Sequence, residues 1–235
     1  MVYSTIMYAS FKKKVTYLRY IVVTNVNMQH NRYVMKKTSQ QQLVLQMVQD
    51  KGIIRPRDLK EKGISRSILS RLVAQNKLEK IDRGLYRKVN APYSEHESLV
   101  RLTYKAPRAV ICLLSALEFY SITTELPRNV WIAMPKGSHK PRMDYPPVKM
   151  TTYSTKTYRA GIQKKIIDKV EVKIYSLEKT IADCFKYRNK IGIDVAIEAL
   201  KEAKQKHRIL ADKLWEYCKI CGVTNVIRPY MQAIQ

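Results

Sequence analysis

The stretch IIRPRDLKEKGISRSILSRLVAQNKLEKIDRGLYRK, residues 53–88, decides the fold. Pro56 suits the first turn of a helix, because the N–H it lacks is one that a helix start leaves unpaired, and the helix predicted from Arg57 to Lys62 is stopped by Gly63. Ser65 offers an N-cap for a second helix running to about Gln75. On that helix Ile68, Leu69, Leu72 and Val73 form one stripe, leaving Arg66, Ser67, Ser70, Arg71 and Gln75 on the other side. Two short helices joined through Gly63 and Ile64 have the proportions of a helix-turn-helix, whose second helix enters the major groove. Leu78 to Ile81 and Leu85 to Lys88 then read as short strands around Asp82-Arg83-Gly84, a turn with glycine where positive φ is wanted.

Upstream, Thr38 or Ser39 can cap a helix with Leu43, Val44, Met47 and Val48 on its buried face, ended by Gly52. Ile53 and Ile54 make a very short extended piece. Three helices followed by a basic hairpin describe a winged helix-turn-helix over residues 39–90, with Arg83 at the tip of the wing.

Charge agrees with that reading. The 235-residue chain carries 44 Lys and Arg against 19 Asp and Glu, a formal net charge of +25, and such a chain expects an anionic partner, most commonly nucleic acid. Residues 39–90 hold 12 basic and 5 acidic residues, a higher density than the 25 and 14 of residues 91–235. Hydrophobic residues make up 46%, which excludes disorder over the whole chain and is enough for one large domain or two small ones. Seven glycines and nine prolines exclude collagen and glycine-rich repeats. Four scattered cysteines do not make a disulfide framework, so a reducing, cytoplasmic setting is the expectation.

Residues 1–38 read as an N-terminal extension with seven basic residues, no acidic ones and a short apolar run from Tyr20 to Val26. That run is much shorter than the ~20 residues of a membrane span, Arg19 sits against it, and no small-x-small cleavage site follows, so neither export nor membrane attachment is expected. The change at residue 39 from patternless sequence to strict helical periodicity points to Met28 or Met35 as the natural start.

Residues 91–235 read as a second, α+β domain. Ser94 and Glu97 stand at capping-box spacing ahead of a helix to Lys105, followed by a strand from Ala109 to Leu113 and a short helix from Ser115 to Tyr120. Val130 to Met134 and Val148 to Tyr153 read as strands around the Pro- and Lys-rich loop 135–147. Ile162 to Ile167 and Val170 to Tyr175 read as a hairpin split by Asp168-Lys169. Ser176 caps a helix to about Lys186, and helices dominate from Asp194 onward. Strands first and helices afterwards indicate α+β with a helical C-terminal part.

For DNA chemistry, base reading needs donors at the groove-facing start of the recognition helix, and phosphate contacts need Lys, Arg or helix N-terminal amides. Arg66, Ser67, Ser70 and Arg71 are therefore the base-edge candidates, and Lys77, Lys80, Arg83 and Arg87 the phosphate candidates. Elsewhere, Cys218-x-x-Cys221 lacks a second pair, although His207 lies upstream, and reads as helical core. Glu171-Val172-Lys173 is half of a restriction-type nuclease motif without its upstream Pro-Asp, so a nuclease is the alternative reading. Asp183 falls four residues after Lys179, which an ordinary ion pair explains. No P-loop or dinucleotide fingerprint occurs, and no catalytic residue, metal or cofactor is expected.

Taken in order, the run from Ser65 through Leu69, Arg71-Leu72, Leu78, Gly84-x-Tyr86, Ser115-Ala116-Leu117, Glu178-Lys179-Thr180 with Asp183, and Tyr187-Arg188-Asn189-Lys190-x-Gly192 resembles the AbiEi-like antitoxins of type IV toxin-antitoxin systems. The resemblance covers residues 39–235. It implies a winged helix that represses its own operon by binding inverted repeats in double-stranded DNA, and a C-terminal antitoxin domain with Lys179, Asp183 and Arg188 as candidates for an antitoxicity surface. It further implies abortive infection of phage as the setting, and a nucleotidyltransferase-like toxin as functional partner without a stable complex.

Overall fold

The computed structural model describes residues 39–92, 94–206 and 208–234. The extension 1–38, with the expected start at Met28 or Met35, lies outside the described residues, as does His207. The fold is mixed α+β and divides between Ala91 and Pro92 into two compact units.

In the first unit, α1 (Gln40–Lys51) starts in a reciprocal cap: Ser39 Oγ accepts from the Gln42 N–H at 3.2 Å, and Gln42 Oε1 accepts from the Ser39 N–H at 2.9 Å. Val44 and Val48, one turn apart, are the residues it buries. Leu43, expected on the same face, is 41% exposed, because it lies about 100° around the helix from Val44. After β1 (Ile53–Ile54) come α2 (Pro56–Lys60), α3 (Ser67–Ala74), β2 (Leu78–Asp82) and β3 (Leu85–Lys88). The three strands pair antiparallel in the order β1-β3-β2, with a register shift between Lys80 and Asp82. Val44, Val48, Ile54, Leu59, Ile64, Leu69, Leu72 and Leu78 make one core.

Both short helices are shorter than their sequence pattern. Gly63, at φ +67°, and Ile64 turn the chain back by donating to the carbonyls of Lys60 and Leu59, so α2 ends at Lys60. Ser65 lies one residue too early to be the cap, its Oγ accepting weakly from the Ser67 N–H at 3.4 Å, and α3 begins at Ser67. At the start of α2, Asp58 Oδ2 accepts from the Arg55 N–H at 2.8 Å and Oδ1 from the Arg55 guanidinium at 3.2 Å. Burial resists charge on Asp58, but these contacts win and hold its carboxyl below the ordinary value of 3.8.

The second unit comprises α4 (Glu97–Lys105), β4 (Val110–Ile111), α5 (Leu113–Phe119), β5 (Val130–Pro135), β6 (Val148–Tyr153), α6 (Thr155–Arg159), β7 (Ile162–Ile167), β8 (Val170–Tyr175), α7 (Leu177–Lys186), α8 (Arg188–Ile191), α9 (Ile193–Gln205), α10 (Ala211–Cys221) and α11 (Thr224–Ala233). Its sheet runs β6-β5-β4-β8-β7, with β5/β6 and β4/β8 parallel and β4/β5 and β7/β8 antiparallel. The β7–β8 hairpin turns on Asp168 and Lys169, both at positive φ, as a two-residue turn of the right twist requires. β7 is an edge strand, and its Ile166 is 72% exposed. Ser176 caps α7 through the Lys179 N–H.

Two local expectations give way here, and one helix appears that no expectation covered. Ser94 caps only the His96 N–H, because Glu97 turns instead to Arg101 one turn on, and α4 starts at Glu97. β4 is two residues long because α5 begins at Leu113. α6, capped by Ser154, occupies a stretch with no apolar periodicity to announce it. No helix of the described residues is long and apolar enough to cross a membrane.

Candidate nucleic-acid interface

α3 divides cleanly into two faces. Ile68, Leu69 and Leu72 are buried, while Ser67, Ser70, Arg71 and Ala74, at i, i+3, i+4 and i+7, share one exposed face. Arg66 stands exposed at the N-cap position, and the hydroxyls of Ser65 and Ser67 share a hydrogen bond at 2.9 Å. Three small side chains let the helix backbone come close to a surface, and Arg66 and Arg71 extend beyond them with planar, multi-donor heads. The four base-edge candidates therefore fall together at the N-terminal part of one solvent-facing helix.

The hairpin of β2 and β3 carries Lys77, Lys80 and Arg83, all exposed. Gly84, at φ +76°, closes the tip, and the Arg83 N–H donates to Asp82 Oδ1. Arg87 overturns its assignment as a phosphate contact. It is 7% exposed, and its Nε donates to Glu79 Oε1 at 2.5 Å. β3 is the middle strand, and alternation puts Arg87 on the face shared with Ile53, Glu79 and Leu85, while Tyr86 and Lys88 take the face of Ile54 and Leu78. Lys88, which is exposed, is the basic residue of this strand that the sequence reading passed over.

The second charged cluster is overturned as a surface. Lys179 and Asp183 are both 0% exposed, and Lys179 Nζ donates to Asp183 Oδ2 at 2.5 Å, the i, i+4 ion pair that their spacing predicts. The ammonium sits 4.4 Å from the ring centre of Tyr175 and 5.0 Å from that of Tyr153. Cys221 Sγ donates to Asp183 Oδ1 at 3.2 Å. The Tyr153 hydroxyl is buried beside them without a hydrogen-bond partner among the described residues. Burial pushes the Asp183 carboxyl up against the pull of Lys179, and pushes the Cys221 thiol up to about 12, helped by the charge of Asp183. Gly161 is what admits Lys179: at φ +75°, a Cβ there would lie 2.7 Å from Lys179 Cβ. The signal of burial is in the sequence, since Thr180, Ile181, Ala182, Cys184 and Phe185 surround the pair and make the helix apolar nearly all round. Arg188 is half-buried, and its guanidinium donates to the Phe185 carbonyl at 3.0 Å.

Cys218 and Cys221 are free and buried in α10. Glu171 pairs with Lys164 at 3.0 Å across the hairpin, and Lys173 Nζ donates to the Pro107 carbonyl at 3.0 Å. Among the described residues no group of three or more His, Cys, Asp or Glu is placed to hold a metal ion.

No curated protein matches the chain. The family match falls on the first unit and is narrower than the resemblance drawn over residues 39–235, whose C-terminal motif residues include the buried Lys179 and Asp183. Residues 42–87, from the third residue of α1 to Arg87 of the hairpin, match the family model of the AbiEi antitoxin transcriptional regulators.

Proposed function

We propose that residues 39–90 are a winged helix-turn-helix that lays α3 in the major groove of duplex DNA, and that the protein represses the transcription unit encoding it. The observation that carries this is the exposed face of Arg66, Ser67, Ser70 and Arg71 beside a hairpin presenting Lys77, Lys80 and Arg83, within the segment that matches the regulator family. The helix supplies side chains of base-reading type, and the hairpin supplies backbone neutralisation that fixes register. A regulator of this kind reads inverted repeats with two heads, so two copies occupy one operator. By the same resemblance the second unit is the antitoxin part of a type IV pair, acting in the cytoplasm against a nucleotidyltransferase-like toxin without a stable complex with it. Its surface role passes from the buried Lys179 and Asp183 to exposed residues.

The test is a footprint and gel-shift titration of the DNA upstream of the gene, at two salt concentrations beside random DNA of equal length. Protection of paired repeats, with affinity falling as salt rises and clear preference over random DNA, is the expected result. Arg71→Ala should cost about 1–3 kcal/mol on the operator and relax specificity if Arg71 reads a base. Equal affinity for both DNAs defeats the reading.

A further inference from the structure

One edge of the five-stranded sheet leaves main-chain groups unused. β7 pairs with β8 alone, and the two-residue turn at Asp168 and Lys169 makes Ile167 and Val170 the first hydrogen-bonded pair of the hairpin. Alternation carries such pairs on to Lys165 with Val172 and Gln163 with Ile174, and turns the N–H and C=O of Lys164 and Ile166 outward. On that outer side neither residue's main chain has a partner among the described residues. The strand itself is held in place: the Tyr120 hydroxyl donates to Gln163 Oε1 at 3.3 Å, and Ile167 is buried. A preformed edge spares an incoming chain the cost of ordering its template.

The side chains along the open stretch are basic and apolar. Lys164 and Ile166 share one face, where Ile166 is 72% exposed and Lys164 reaches Glu171 at 3.0 Å with most of its side chain in solvent. Lys165 lies half-buried on the other face and forms no ion pair among the described residues.

We propose that β7 is a docking strand, which takes up an acidic, extended segment of a partner protein as one more strand of the sheet. Main-chain bonds at Lys164 and Ile166 supply the attachment, and the side chains choose the partner. In an antiparallel arrangement the residue across Ile166 is apolar, and the next two, across Lys165 and Lys164, are acidic; a lysine at either place meets like charge and is rejected. Two adjacent acidic residues occur nowhere in these 235 residues, so a second copy of the chain does not carry the segment that fits. Strand addition needs a peptide backbone, which separates this edge from any contact with phosphate.

The experiment uses the full chain without DNA, so its failure leaves the operator reading untouched. Anisotropy titrations follow a fluorescein-labelled peptide, Thr-Thr-Val-Glu-Glu-Thr-Val-Thr, beside its Val-Lys-Lys counterpart and beside a copy N-methylated at the first valine and the second glutamate, whose N–H groups face β7. The acidic peptide should saturate, and the other two should bind at least about tenfold more weakly. Ile166→Pro removes one outward N–H and keeps the ladder to β8, so it should weaken the acidic peptide about tenfold. Lys164→Glu/Lys165→Glu should weaken it likewise and let the lysine peptide bind. Circular dichroism melts show which variants fold, and the charge variant carries the test if the proline variant does not. Failure of the acidic peptide to saturate overturns the proposal, as does binding that the folded variants or the N-methyl groups leave unchanged. So does a dimer in light scattering at low salt that Ile166→Pro dissolves, which gives the edge to a second copy.

Discussion

Helices α3 and α7 are short, each carries a basic residue four positions from a polar one, and they end in opposite surroundings. α3 buries Ile68, Leu69 and Leu72 and leaves Ser67 and Arg71 in solvent; α7 buries eight of its ten residues, Lys179 and Asp183 included. The difference lies in what covers them. α3 packs on α1 and β2 and keeps one side open, whereas α5, α9, α10 and α11 all pack on α7. A charged residue on a helix therefore takes its surroundings from the layers around it: Arg71 stands in solvent, and Lys179 is paired inside the core.

The sharpest way to break this comparison is Lys179→Ala, which strands the Asp183 carboxylate in the core. It should cost about 3–5 kcal/mol in urea unfolding of the second unit, and the pair Lys179→Met/Asp183→Leu should restore most of that. A loss no larger than that of Arg71→Ala would mean that burial does not separate the two helices. Gly161→Ala comes next, because its Cβ collides with Lys179 Cβ and Cγ; a loss of about 1–3 kcal/mol is expected in thermal melting. Gly137→Ala shares the positive φ but meets open space, and it should lose less.

Asp58→Asn sharpens the comparison from the first unit's side and is read by pH. The folded carboxyl titrates below 3.8, so the stability it contributes is fully present above the unfolded value and is lost as pH falls through the folded one. The variant should be about 1–2 kcal/mol less stable at neutral pH and converge with the parent in acid, measured as the urea midpoint across pH. The smallest effect is Arg83→Ala, expected to change stability by less than about 0.5 kcal/mol, with Arg87→Ala in the same hairpin exceeding it.

What was legible in the sequence was local. The β7–β8 hairpin, the Ser176 cap, the Ser39 cap and the two faces of α3 follow from periodicity and turn residues, and they stand in the structure between the residues named. What was not legible depended on neighbours far along the chain. Arg87 reads as a phosphate contact until β1 is paired on the other side of β3, and Lys179 reads as surface until four helices close over it. The end of α2 lies two residues, and the start of α3 one residue, from where the pattern puts them, because main-chain bonds at Gly63 and Ile64 set the turn.

The edge strand β7 carries a consequence for solubility. Two copies meeting antiparallel about the strand's midpoint would set Lys164 against Lys165 of the other, twice, and the exposed Ile166 of each against Gln163 of the other. Repulsion guards a flat, otherwise adhesive edge. Because that guard is electrostatic and solvent-exposed, raising ionic strength weakens it, and concentrated protein should self-associate more readily in high salt than in low salt.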